Sequence, residues 1–192
     1  MKTAIMKGGL LIGVALALSS YDIPTGWFVA GSQPKKYEMG VDQGAGQAGK
    51  NAATIRSIDA APNGFGTLMQ NSAPGKYLGK RIRMTGYMKA KEVKGWAGFW
   101  LRVDQAGSQR ALSFDNMSGR ALKGTSDWKK YEIVLDVPAQ ASNIAYGALL
   151  DDAGQIWFDN LNFEVVDTSV PTTDKAKMLE EPKEPKNLSF EE

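Results

Sequence analysis

The chain has 192 residues, 43% hydrophobic and 23% charged, with five tryptophans, no cysteine and no histidine. Without cysteine there is no disulfide framework, thiolate nucleophile or thiolate zinc site, and without histidine there is no Ser-His-Asp or Cys-His hydrolase. A net charge of +2 argues for neither nucleic acid nor an anionic membrane as partner.

In chain order, residues 1–20 come first. Lys2 and Lys7 precede the uncharged run 8–18 (GGLLIGVALAL), which ends at Ser19-Ser20. A basic start, a short apolar run and small exit residues describe a secretory signal peptide. The run is far below the roughly 20 residues that span a bilayer, so no membrane span is expected. The protein is predicted to be secreted or periplasmic; a buried strand of a cytoplasmic protein is the alternative.

Residues 21–166 contain no helical apolar period beyond about two turns. Short runs with period-2 alternation, bounded by Gly, Pro, Asn and Asp, predict strands at 26–30, 37–41, 53–57, 66–70, 81–90, 97–104, 111–114, 131–137, 143–150 and 155–165. About ten strands with frequent turns and no crossover helices predict an all-β fold, an antiparallel β-sandwich of the jelly-roll kind. One helical turn is expected at 117–123 or 72–79.

Alternation assigns faces. Tyr131, Ile133, Leu135 and Val137 point to the core, as do Ile82, Met84 and Met88, leaving Arg81, Arg83, Thr85, Tyr87 and Lys89 outside. In AGFWLRVD, Phe99, Leu101 and Val103 form the core row, so Trp100, Arg102 and Asp104 share the opposite face, with Trp96 in line behind them. Trp27, Trp128 and Trp157 stand at strand ends and are expected to plug the sandwich.

Residues 167–192 carry three prolines, seven acids and four lysines. Such a stretch buries too little apolar surface to offset its chain entropy and is expected to be a disordered tail.

Three features together resemble a galactose-binding-like β-jelly roll of the carbohydrate-binding-module type. They are Gly26-Trp27 followed by Gly31-Ser32, the aromatic strand WAGFWLRVD with Trp128 opening a later strand, and the closing strand QIWFDNLNFEV. GFWLRVD and LSFDNM are also similar to jelly-roll sensor-like domains found near bacterial transcription regulators. The first resemblance implies a non-catalytic module with a carbohydrate or glycan-like ligand. Tryptophan would stack on sugar C–H faces and charged groups would bond the hydroxyls. Trp96, Trp100, Arg102 and Asp104, with Arg83 and Tyr87 on a neighbouring strand, fit that role. The alternative, and the commoner arrangement in sandwiches, is that Arg102 and Asp104 form a cross-strand ion pair shielded by Trp100. The resemblance also implies a structural calcium with Asp159 as ligand, helped by Asp42, Asp22 or loop carbonyls. The alternative role for Asp159 is a carboxylate accepting loop amides.

Other patterns are bland. GAGQAG (44–49) lacks the strand–loop–helix context of a phosphate loop. Asp151-Asp152 and Asp115-Asn116 read as turns, although Asp115–Met117 follows a strand and can rim a groove. A protein-binding or sensor module is the alternative function, and a polysaccharide-active hydrolase or lyase the third.

Overall fold

The computed structural model describes residues 21–173. The expected signal peptide and most of the expected tail lie outside the described residues. Nine strands form the domain, with four single 3-10 turns and no α-helix among the described residues.

The strands are β1 (Phe28–Gly31), β2 (Tyr37–Asp42), β3 (Ala52–Ser57), β4 (Phe65–Ser72), β5 (Lys80–Asp104), β6 (Ser113–Asp115), β7 (Leu122–Val137), β8 (Asn143–Asp151) and β9 (Gln155–Val166). All pairings are antiparallel, in the order β1-β4-β8-β5-β9-β3-β2, with β6 and β7 also on β5. The architecture is the expected all-β jelly-roll sandwich.

One difference matters for the site. The predicted strands 81–90 and 97–104 are a single 25-residue strand, β5. Its first part pairs with β7 and β9, and its second with β8 and β6. Register shifts between Met88 and Ala97 and a left-handed Glu92 (φ 52°) let one strand pass from one sheet to the other. Such bulges increase twist and bend a strand without ending it, which is why no turn signal had to separate the two runs.

The core lies where the two halves face each other. Ile82, Met84, Met88, Ile133 and Leu135 from one side meet Phe99, Leu101 and Val103 from the other, all buried as the alternation predicts, with Ile144 and Leu150 of β8 beside them; Thr85, expected outside, is buried too, and Tyr131, expected in the core, is half-buried. Phe99 and Phe158 meet edge to face with ring centroids 6.0 Å apart. Truncating either to alanine costs about 3–5 kcal/mol. Trp27 packs on Phe158 and Tyr146 and does plug the sandwich. Trp157 does not: its indole N–H donates to Asp42 Oδ2 at 2.7 Å, and Lys89 Nζ lies 5.8 Å from its ring centroid. Trp128 is half-buried and outside the core cluster.

Past Val166 the chain stays on the domain to the last described residue. Arg81 Nη1 donates to the carbonyls of Thr168 (2.6 Å) and Val170 (2.5 Å), and Thr173 N donates to Val134 O at 2.8 Å.

Candidate functional site

Strand alternation builds the site. On β4, Phe65, Thr67, Met69 and Asn71 share one face, as do Asn143, Ala145, Leu149 and Asp151 on β8 and Trp96, Trp100, Arg102 and Asp104 on β5. Together with Ala30 and Gly31 of β1, Phe114 of β6 and Asn116 they line a cleft of about 560 Å³ on the outer side of the sheet. Its floor is apolar: Trp100, Ala145 and Leu149 are buried, and Phe65, Met69, Trp96 and Phe114 pack against them.

The cleft has two unlike ends. At one, Arg102 Nε donates to Asp104 Oδ1 at 2.6 Å, and Asn143 Nδ2 reaches Asp104 Oδ2 at 3.3 Å. Arg102 Nη2 meets the Gln109 carbonyl at 3.4 Å. The pair expected from the sequence is therefore made, and it also lines the cleft. At the other end, Asp151 pairs across strands with Phe65 and with Trp96. Burial and the adjacent Asp152 carboxylate raise the Asp151 pKa above its ordinary value.

Trp100 has a different role from the stacking platform expected of it. It is only 8% exposed, and its indole N–H donates to Thr67 Oγ1 at 2.9 Å. A ring sealed in this way forms a floor, and the half-buried aromatic rings that line the cleft are those of Trp96, Phe65 and Phe114.

The residues 115–120 hold Asn116 at the rim. Asp115 is fully buried, and its carboxylate accepts the Met117 amide at 2.7 Å and both Arg120 Nη groups at 3.2 and 2.7 Å. The loop rests on Gly98 of the cleft face, where a Cβ would stand 3.1 Å from Met117 Cβ.

Arg83 and Tyr87 are not part of the cleft. They lie on the first half of β5, in the other sheet. There Arg83 bridges Glu132 (3.2 Å) and Glu164 (3.0 Å), and Tyr87 has Lys130 and Asp159 as cross-strand neighbours. The same strand carries both candidate sets, and its bend sends them to opposite outer faces.

Around Asp159 the acidic side chains are engaged in local hydrogen bonds. Asp159 Oδ1 accepts the Asn160 amide at 2.6 Å and Oδ2 accepts Asn160 Nδ2 at 3.2 Å, while Asp42 takes the Trp157 indole. Among the described residues no group of three or more acidic side chains is placed to hold a metal ion, whereas calcium takes six to eight oxygens.

Sequence reasoning missed Phe65, Met69, Asn71, Asn143 and Asp151. Period 2 runs through 65, 67, 69 and 71, but nothing local shows that β4 and β8 lie beside the second half of β5.

No protein-family model matches the chain. The chain is 44% identical over 168 residues to the uncharacterized HTH-type transcriptional regulator YbfP of Bacillus subtilis (strain 168), a match covering 87% of this chain and 57% of that protein. It thus spans little more than half the length of this curated relative. Among solved structures it superposes on the CBM22-1 xylan-binding domain of Paenibacillus barcinonensis Xyn10C with TM-score 0.55, at 14% identity over 78% of this chain and 91% of that one. It also matches the enzymatically active domain of bacteriophage CBA120 tailspike protein 4 with TM-score 0.57, at 9% identity over 74% of this chain and 20% of that one. The fold is the β-jelly roll of carbohydrate-binding modules.

Proposed function

We propose that this domain is a non-catalytic binding module whose cleft takes a carbohydrate or glycan-like ligand. One observation carries the reading. An apolar floor with the half-buried rings of Trp96 and Phe65 is joined in one cleft to hydrogen-bonding groups of Arg102, Asp104, Asn116 and Asn143. Sugars present the matching pattern, with flat C–H faces edged by hydroxyls.

Carboxylate placement supports binding over hydrolysis. Glycosidases hold two carboxyl groups about 5–10 Å apart. The cleft's carboxylates, Asp104 and Asp151, stand in rows eight β5 residues apart, at Asp104 and at Trp96, or about 26 Å along the strand. Asp115 is sealed beneath Arg120.

The experiment is calorimetric titration with xylan, β-glucan and galactan oligosaccharides, comparing the native chain with Trp96→Ala and Arg102→Ala. Binding that weakens about tenfold or more in both variants supports the reading. Binding indifferent to both removes the cleft as the site.

The 44% identical regulator favours a second reading, in which the same cleft serves as the effector-sensing part of a transcription regulator. Localisation separates the two. An exported protein whose intact mass lacks residues 1–20 supports the glycan-binding module in its secreted or periplasmic form, and a cytoplasmic protein that retains them supports the sensor. No helix among the described residues is long and apolar enough to cross a membrane.

A further inference from the structure

Asp151 ends β8, and its partners on the neighbouring strands are Phe65 of β4 and Trp96 of β5. Directly opposed residues on a sheet face stand about 4.5–5.5 Å apart at Cβ. A carboxylate therefore lies in one row between two aromatic side chains, and all three line the same end of the cleft.

Among the described residues Asp151 makes no side-chain hydrogen bond and no ion pair. The cation–ring contacts of the described residues are at Tyr21, Tyr77 and Trp157, so no lysine or arginine covers Phe65 or Trp96. Gly95 leaves room for the charge, since a Cβ there would stand 2.8 Å from Asp151 Oδ2. The upward pKa shift of Asp151, from burial and from Asp152, is the expected mark of a partly buried negative charge lacking a cation. At the opposite end Asp104 is already neutralised by Arg102.

We propose that the Phe65–Asp151–Trp96 row is a site for a protonated amine, so that the ligand of the cleft carries an ammonium group at this end. Aromatic faces attract a cation through their quadrupole, and the carboxylate accepts its N–H groups in charge-assisted hydrogen bonds. An amino sugar and a simple alkyl amine both offer this group. The inference rests on the cleft being the ligand site.

The test is titration of the native chain, Asp151→Asn and Phe65→Leu with three probes: a glucosamine trisaccharide, its fully N-acetylated counterpart, and butylamine. The free-amine trisaccharide is expected to bind about tenfold or more tighter than the N-acetylated form. Asp151→Asn should abolish that preference and Phe65→Leu should reduce it, both variants keeping native circular dichroism. Equal affinity for the two trisaccharides, a preference that survives Asp151→Asn, or no binding of any amine probe overturns the proposal. Butylamine binding that depends on Asp151, with no saccharide bound, upholds the amine site and removes the carbohydrate reading. Equal trisaccharide binding that Arg102→Ala abolishes does the reverse.

Discussion

Trp100 donates its indole N–H to Thr67 Oγ1 at 2.9 Å, reaching across β8 from β5 to β4, and Thr67 passes a bond of 2.7 Å to the Ala148 carbonyl. Three strands are tied beneath the cleft by one buried relay. Thr67→Val keeps the shape and removes the acceptor, leaving a buried N–H unsatisfied. It is expected to lower unfolding free energy by about 1–3 kcal/mol in urea titration. Thr67→Ser, which keeps the hydroxyl, should lose clearly less. A Thr67→Val variant as stable as the native chain would show that the relay contributes nothing to stability.

Arg120 is the lid on buried Asp115. Arg120→Ala leaves that carboxylate with the Met117 amide as its one remaining donor among the bonds described above. A loss of about 1–3 kcal/mol is expected. Ligand affinity should fall with it, because Asn116 rides on the same loop. Arg120→Lys restores the charge without the two-pronged geometry and should fall between. Stability loss with unchanged affinity would detach the loop from the site.

The outer edge of β7 is capped residue by residue. Arg120 Nη2 donates to the Glu132 carbonyl, Thr173 N to that of Val134 and Ser113 Oγ to that of Asp136, each at 2.8 Å. Open edges invite pairing with another chain, and capping them disfavours it. The Val134 amide also donates to Thr173 Oγ1 at 3.0 Å. Thr173→Ala should therefore speed hydrogen exchange at the Val134 amide and cost about 0.5–1.5 kcal/mol. Unchanged exchange would show that the segment does not hold the edge.

Tyr37 is buried and donates its hydroxyl to the Gly64 carbonyl at 2.5 Å, and burial foremost pushes its pKa up to about 12. The folded state thus holds this proton more tightly than the unfolded chain, whose tyrosine titrates near its ordinary value of about 10. The resulting stabilisation is complete below pH 10 and disappears as pH rises through 12. Tyr37→Phe should be less stable at neutral pH, with a shallower alkaline decline. Tyr131 and Tyr146 are shifted upward by burial too, so part of the decline remains. A slope unchanged by Tyr37→Phe would contradict this assignment.

Much of the fold was legible because period-2 alternation is a local property. Ile133, Leu135, Phe99, Leu101 and Val103 are buried as their spacing requires, and Trp96, Trp100, Arg102 and Asp104 share the other face. The site was half legible. Arg83 and Tyr87 look equivalent to Arg102 and Trp100 in the sequence, yet a bulge at Glu92 carries them to another sheet.

Which residues of the central strands face in and out was largely legible from the amino-acid order, because a side chain's face follows from the two-residue repeat of the extended backbone. The composition also excluded histidine and cysteine chemistry. Which strands became neighbours was not legible in the sequence, since pairing across long loops depends on packing and not on local pattern. That pairing buried Trp100 as a floor, placed Phe65 and Trp96 on either side of Asp151, and so decided which polar groups a ligand can reach.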